Sequence, residues 1–560
     1  MELVDTLVKR GLISEMQLSQ AESRGGDVLA QLVQVGAIEH QAALKAMAEE
    51  VGVDFVDLRE TSVDLSLLET FPQKIIYRQI LFPVSRNNGT IVVATADPLN
   101  FYPLDEISSA MGLAVEPVLA ERSEIAKLIK NHLGVGGETI EGLIEQKLDE
   151  GVELLSEIET DGSELSEMAQ EASVVRLVNE ILLEAVESRT SDVHIESQQD
   201  GIVIRNRIDG ILHTQPVPPE INHFRAAIIS RLKIMAKLNI AEKRLPQDGR
   251  IKIRVKGREV DVRVSVIPMI HGESLVMRIL DKGAMVFELK SLGMSEETYN
   301  TFSELIKIPH GIVLVTGPTG SGKTTTLYSS LIEINDPKTK IITTEDPVEY
   351  QLAGINQIQV HPKIGLTFAH SLRSILRHDP DVVLVGEIRD LETAENAIQA
   401  SLTGHLVFST LHTNDAAGAF TRMGDMGVEP FLVASTVEAI MAQRLVRRLC
   451  KDCCRPVEVS RDELPADFPF EAAAGKQIYE AVGCRECRDV GYRGRLGIYE
   501  LLITTNDLRQ MAHDRASTWE IKKAAIAGGM KTLRDDGWLK VIEGKTSVEE
   551  VLRITKGDRR

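Results

Sequence analysis

The stretch Gly311-Ile-Val-Leu-Val-Thr-Gly317-Pro318-Thr319-Gly320-Ser321-Gly322-Lys323-Thr324-Thr325 constrains this chain more than any other. A short, largely β-branched run leads into a glycine-rich turn, and Lys-Thr then opens a helix. This is the pattern G-x-x-x-x-G-K-[ST] in a strand–loop–helix setting. Its glycines let backbone N–H groups curl around phosphate oxygens, and the helix N-terminus adds its positive dipole end. Lys323 can reach β- and γ-phosphates, and Thr324 can hold Mg²⁺. The segment therefore predicts an α/β P-loop domain that binds a nucleotide, expected to be ATP, across Gly317–Thr325. A glycine turn of an ordinary α/β domain does not account for Lys323-Thr324 at this offset.

The chain has 560 residues, too many for one core, so three to four domains are expected. No run approaches the roughly 18–20 apolar residues that span a bilayer. The start, Met-Glu-Leu-Val-Asp-Thr-Leu-Val, lacks the basic and apolar regions of a secretory signal. A cytoplasmic protein is expected, with any membrane association made through a partner. The formal net charge of −20 speaks against broad nucleic-acid binding, which needs basic surface to release counterions. Half of that charge lies in residues 136–170, which hold eleven acidic side chains and one lysine. Five glycines and three serines share the stretch, so it reads as a mobile acidic linker. Helix-spaced Ile140, Leu143, Ile144 and Leu148 keep open an amphipathic helix that docks on a partner.

Before the linker, residues 1–135 read as a helical repeat followed by an α+β unit. Leu7-Val8-x-x-Gly11-x-Ile13 recurs as Leu32-Val33-x-x-Gly36-x-Ile38. Ser14 suits the cap of a following helix, and Glu39 suits it less well. Runs at 80–84 and 90–94 flank Asn88-Gly89 and read as a β-hairpin. Helices are expected at 105–112 and 122–132. After the linker, 171–285 reads as a second α+β domain. It has a helix at 174–188, strands at 193–195, 202–208, 251–255 and 259–267, and a basic helix near 225–238. From 286 to 560, helices alternate with β-branched runs at 312–316, 341–344, 382–385 and 406–409. That alternation implies parallel βαβ units.

Hydrolysis needs more than a phosphate cradle. Two strands end in carboxylates, where α/β sites normally lie. One is Ile341-Ile-Thr-Thr-Glu345-Asp346-Pro347-Val-Glu349. The other is Asp381-Val-Val-Leu-Val-Gly386-Glu387-Ile-Arg389-Asp390, which resembles a Walker B strand with Glu in place of Asp. A third run carries His405 and His412 on either side of an apolar strand. His412, beside Thr410, Thr413 and Asn414, suits sensing a γ-phosphate. With Asp415 alone beside it, His412 has too few ligands for a metal site.

All five cysteines lie between 450 and 487. Cys450-x-x-Cys453 and Cys484-x-x-Cys487 suit tetrahedral Zn²⁺ held by four thiolates, stapling a loop-rich excursion over about 450–490. Four protein ligands leave no open position for catalysis, and Cys454 is a bystander.

Together these runs resemble the secretion ATPase superfamily, the type II secretion and type IV pilus assembly ATPases. The resemblance covers nearly the whole chain and is densest over 171–560. It is carried by Ser191-Asp-Val-His194-Ile-Glu196, Arg244-Leu-Pro-Gln-Asp248-Gly249-Arg250, the P-loop, Glu345–Glu349, Leu372-Arg373-x-x-Leu-Arg377-His-Asp-Pro-Asp381, Gly386–Asp390, the histidine run, both CxxC pairs, and Gly529-Met-Lys-Thr-Leu-Arg534-Asp-Asp-Gly537. It implies a RecA-like ATPase core preceded by a PAS-like α+β domain. It implies Glu349 as general base, Glu387 as the Walker B acid acting on Mg²⁺ through water, and His412 as nucleotide sensor. Arg263 and Arg278 look like the arginines that the family's second domain supplies to nucleotide, with Arg244 and Arg250 weaker candidates.

The resemblance also implies a homohexamer that works on inner-membrane platform and docking proteins and adds pseudopilin or pilin subunits to a fibre. Leu411–Gly418 and Met426–Phe431 lean toward type II secretion. Type IV pilus assembly is the alternative, and retraction ATPases lack the CxxC pairs. A nucleic-acid motor and a nucleotide-gated second-messenger receptor are further alternatives. The N-terminal repeat resembles a domain that binds cyclic di-GMP in some relatives. Here the repeats lack the opening Arg-Leu-Gly of those versions, which speaks against that ligand and for docking to a membrane partner.

Overall fold

The structure is a computed structural model. It describes residues 7–8, 11–18, 32, 38, 40–72, 75–76, 79–87, 89–98, 100–133, 152–154, 172–281 and 287–555. The chain divides into two compact units, Met1–Gly283 and Ala284–Arg560.

In the first unit, the leading residue of each repeat copy enters one small core. Leu7 and Leu32 are both buried, with Ile13, Leu44 and Met47 around them. Ser14 caps as expected: its hydroxyl accepts from Gln17 N, and its own N–H donates to Gln17 Oε1 at 2.8 Å. Helix α1 (His40–Val51) follows, and its expected cap, Glu39, lies outside the described residues. The hairpin forms from β1 (Leu81–Asn87) and β2 (Thr90–Thr95), with Gly89 at φ +83° in its turn. Asn88 lies outside the described residues. Helix α2 (Phe101–Met111), strand β3 (Ala114–Leu119) and α3 (Arg122–Leu133) complete this α+β part, and β3 joins β2 in parallel.

The acidic stretch is not wholly a linker. Val152–Leu154 forms strand β4 and pairs antiparallel with Ile253–Val255. The free edge of a sheet offers unpaired N–H and C=O groups, and a short extended segment satisfies them despite its charge. The candidate docking helix around Ile140–Leu148 lies outside the described residues.

The following domain is an antiparallel sheet in the order β4-β8-β9-β10-β5-β6-β7. Its strands are β5 (Thr190–Gln198), β6 (Gly201–Ile208), β7 (Ile211–Thr214), β8 (Gln247–Val255), β9 (Arg258–Met269) and β10 (Gly272–Asp281). Alternation decides the faces. Val260, Val262, Val264 and Val266 are buried in one core with Leu177, Ile181 and Leu182 of α4 (Ala172–Glu187) and Ile228 and Leu232 of α5 (Arg225–Met235). Asp261, Arg263 and Ser265 therefore lie on the opposite, polar face. Helix α5 carries basic residues yet is buried: Lys233 is 1% exposed and is held by Glu273 Oε1 and Glu242 O, each at 2.8 Å.

The second unit has the sheet order β13-β12-β14-β15-β11-β16-β19, parallel except for the last pair. Strands β11 (Gly311–Thr316), β12 (Ile341–Glu345), β14 (Val382–Val385) and β15 (Leu406–Leu411) are buried along their whole length. That burial requires helices on both faces. Leu327 and Leu331 of α7 (Lys323–Glu333), with Phe302 of α6 (Glu296–Leu305), join one apolar cluster. Leu372 and Ile375 of α8 (Phe368–Ile375), with Ala394 and Ile398 of α9 (Leu391–Leu402), join another. This is the expected RecA-like core, with the P-loop strand between β15 and β16 (Val437–Leu449). Strand β13 is Asn356–Gln359.

Strand β16 leads into the cysteine excursion, and β19 (Tyr492–Ile503) leads out of it. The excursion contains the small pair β17 (Arg455–Val457) and β18 (Ile478–Glu480). It also borrows a core. Phe468 packs edge-on against Trp538 of α14 (Leu533–Ile542), after α10 (Gly418–Asp425), α11 (Pro430–Thr436), α12 (Asn506–His513) and α13 (Thr518–Ala527). Trp538 is fully buried and donates Nε1–H to Asp467 at 3.1 Å. A last helix, α15 (Val548–Ile554), packs Val551 beside it.

Candidate active site and cysteine centre

The P-loop closes over the end of β11. Gly317, Gly320 and Gly322 take φ of +148°, +78° and +89°, values that L side chains rarely adopt. Two of them also have no room. A Cβ on Gly317 would lie 2.6 Å from Gln443 O, and one on Gly322 would lie 2.8 Å from Gln443 Nε2. The bare glycines thus let β16 approach the loop. Pro318, Thr319, Gly320 and Thr324 are exposed, Thr325 is half-buried, and Ser321 is buried.

Lys323 opens α7, and its Nζ donates to Gly317 O at 2.8 Å and Pro318 O at 3.0 Å. The ammonium is therefore held over the loop. Burial lowers its pKa, the charge of Glu387 opposes that shift, and Arg444 adds to it.

The two carboxylate-ended strands do different things. Glu345, at the end of β12, is 5% exposed and fully engaged. It accepts from the Tyr328 and Thr343 hydroxyls and from Gln357 Nε2. Burial and Glu345 together hold Tyr328 in its neutral phenol form. Glu345 is thus a brace between α7 and β12, while Glu349 lies half-buried in the loop beyond, its N–H facing the Tyr328 hydroxyl at 3.4 Å.

Glu387 sits just past β14 and meets His412 from just past β15. His412 Nε2 is 3.3 Å from Glu387 Oε2, and Arg389 Nη2 is 2.6 Å from Glu387 Oε1. Asp390 caps α9 through Thr393 N at 2.8 Å. His405 bonds Ala400 O at 2.9 Å, a local structural contact. The hydroxyls beside His412 are also structural. Thr410 Oγ1 donates to Gly386 O at 2.8 Å, and Thr413 Oγ1 donates to Asp415 O at 2.8 Å.

In the other unit, the arginines fall into one row across the polar face of the sheet. Arg250 pairs in register with Arg263, Arg263 with Arg278, and Arg278 with Asp192. Arg250, Arg263 and Arg278 line one open cleft of about 420 Å³ with Asp192 and Asp248. Arg278 Nε donates to Asp192 Oδ1 at 3.0 Å. Arg244 is apart from this row: its side chain is 86% exposed and pairs with Glu242.

The four cysteines converge. Cys450, Cys453, Cys484 and Cys487 place their sulfurs within 4.8 Å of one another. The Cys450–Cys484 separation is 3.9 Å, and Cys453–Cys487 and Cys484–Cys487 are each 3.7 Å. A tetrahedral ion with metal–sulfur bonds of ~2.3 Å needs sulfur–sulfur edges of about 3.8 Å, so the set fits one. Backbone N–H groups of Cys484 and Gly491 each point at Cys487 Sγ at 3.1 Å, as suits a thiolate. Without a cation, burial pushes the Cys450 thiol up to about 12. Cys454 is outside the cluster.

The sequence reading passed over Gln443 and Arg444. Thr326 Oγ1 donates to Gln443 Oε1 at 2.7 Å, and the Arg444 guanidinium would lie 3.1 Å from a Cβ on Gly317. The available signal was the adjacent polar pair that separates the apolar stretches Ala439–Ala442 and Leu445–Val446.

Comparison with known proteins places this arrangement. The family described as "Type II/IV secretion system protein" matches residues 167–553, and the "MshEN domain" matches residues 51–139. The second match falls on the α+β unit rather than on the helical repeat at 1–50. The chain is 43% identical to the type IV pilus assembly ATPase PilB of Myxococcus xanthus, over 100% of this chain and 99% of that one. It is 44% identical to the type II secretion system protein E of Xanthomonas campestris, over 99% and 98%. Against the type II secretion system protein E of Pseudomonas aeruginosa it is 52% identical over 70% of this chain and 78% of that one. The chain therefore belongs to the type II/IV secretion system protein family and is an ATPase of that family.

Proposed function

We propose that this ATPase drives assembly of pseudopilin fibres in type II protein secretion. It would act as a cytoplasmic homohexamer, held to the inner membrane through platform and docking proteins. The observation that carries the reading is the convergence of Lys323, Glu387 and His412 at the carboxyl ends of adjacent parallel strands, beside a loop of three glycines in the left-handed region. In this reading Gly317–Thr325 hold ATP, and Thr324 holds Mg²⁺. Glu387 acts on that Mg²⁺ through water, Glu349 takes the proton from the attacking water, and His412 senses the nucleotide. Arg263 and Arg278 supply the positive charge that the transition state needs, with Arg250 alongside them. Cys450, Cys453, Cys484 and Cys487 hold Zn²⁺ as a structural staple. Among the described residues, no helix is long and apolar enough to cross a membrane, consistent with attachment through partners. Residues 1–135 dock that membrane partner.

Type IV pilus assembly is the second reading, favoured by the full-length likeness to a pilus assembly ATPase. Replacement of the chromosomal gene by the Glu349→Gln form separates the two. Secretion predicts exported proteins retained in the periplasm with surface pili intact. Loss of pili with normal export would establish the second reading instead. Normal export and normal pili would contradict both.

A further inference from the structure

Arg444 lies where two loops of the site meet. Strand β16 runs parallel to the P-loop strand, with Thr316 opposite Ala442, so residues 443 and 444 fall beside the start of the phosphate loop. The Arg444 fork donates Nη1–H to Gln443 O at 3.0 Å and Nη2–H to Asn414 O at 2.8 Å. Asn414 belongs to the loop that leaves β15 just after His412. The side chain therefore crosses the end of the P-loop strand, passes over Gly317, and holds the His412 loop from the far side. Burial lowers its pKa, and the charges of Glu500 and Asp415 offset that. A half-buried guanidinium thus bonds two backbone carbonyls, one on its own strand and one in the His412 loop.

We infer that Arg444 is a positioning residue for hydrolysis, which fixes the His412–Asn414 loop against the phosphate loop. The inference rests on the assignment of His412 to the nucleotide site. A planar fork can hold two carbonyls at once, whereas a lysine ammonium on a flexible stem cannot keep the same geometry. Small displacements of a catalytic group cost up to ~10²-fold in rate.

The test is steady-state ATP turnover of the full chain carrying Arg444→Lys, Arg444→Met, His412→Ala, and each Arg444 change combined with His412→Ala. Arg444→Met keeps an unbranched stem but removes the guanidinium, and thermal unfolding of every variant checks the fold. The expected result is a kcat lowered about tenfold or more in both single Arg444 variants, with KM for ATP within about twofold of the parent. In the His412→Ala background the same changes cost little further. Three results would overturn the inference: an unchanged kcat, a raised KM at constant kcat, or a full additional loss in the double variants. The second would make Arg444 a phosphate-binding cation. If His412→Ala alone leaves turnover unchanged, the assignment of His412 fails. Loss in the Arg444 variants would then show that Arg444 acts elsewhere.

Discussion

Thr316 Oγ1 and Thr413 Oγ1 lie 2.7 Å apart, joining the last residue of the P-loop strand to the loop that carries His412. Thr316 Oγ1 also donates to Leu411 O and accepts from Thr413 N, and Thr316 is fully buried. Thr316→Val keeps the volume, removes the hydroxyl that bonds Leu411 O, and leaves the part-buried Thr413 N–H without its acceptor. We expect a loss of about 2 kcal/mol in the stability of the ATPase domain. Denaturant unfolding measures it, and ATP turnover should fall in parallel.

The arginine row gives a graded prediction. Arg263→Gln and Arg278→Gln should each lower ATP turnover by about 10³-fold if these side chains supply transition-state charge. ATP binding, read by calorimetry, should change little. Arg244→Gln should behave as the parent, because Arg244 stands outside the row and pairs with Glu242.

Removal of the metal should unfold the excursion rather than the catalytic core. Metal analysis of the purified full chain should find about one zinc per chain. Chelation, or Cys453→Ser, should lower the melting temperature. A loss of even ~2 kcal/mol moves the midpoint by roughly 4–8 °C in a domain of this size. The borrowed contact between Phe468 and Trp538 predicts that Trp538 fluorescence reports the event.

Glu550 predicts a pH dependence. Its carboxylate is buried and accepts from Arg447 Nη2 at 2.9 Å and Arg553 Nη2 at 2.6 Å. Burial raises its pKa, but the bonds from Arg553 and Arg447 outweigh that, and the net shift is downward. The contribution is therefore fully present above the unfolded carboxyl value of about 4.3, and it is lost as pH falls through the lowered folded value. Glu550→Gln should cost about 3 kcal/mol at neutral pH, because Arg447 is left buried without its counter-charge. The variant should also flatten the acid limb of the stability profile.

The parallel core was legible because fully buried strands read as continuous apolar runs. The runs expected at 312–316, 341–344, 382–385 and 406–409 match β11, β12, β14 and β15 to within two residues at each end. Strand β16 escaped notice because Gln443 and Arg444 break its apolar pattern, and they do so because they pack against the P-loop. The arginine row was half legible. Arg263 and Arg278 were singled out through family likeness, but their register with Arg250 and Asp192 depends on pairings between distant strands. The run Ile341–Glu349 left the role of Glu345 open for a related reason. A carboxylate at a strand end looks catalytic in sequence, and only the approach of Tyr328 and Gln357 shows it to be a brace.

Hydrolysis at this P-loop with Glu349 as base is the step on which the proposed motor depends. The direct measurement is ATP binding and ATP turnover of the full chain carrying Glu349→Gln. With Glu349 as base, ATP affinity should stay within about twofold of the parent and turnover should fall by at least about 10²-fold. Turnover equal to the parent's, with binding intact, would contradict it.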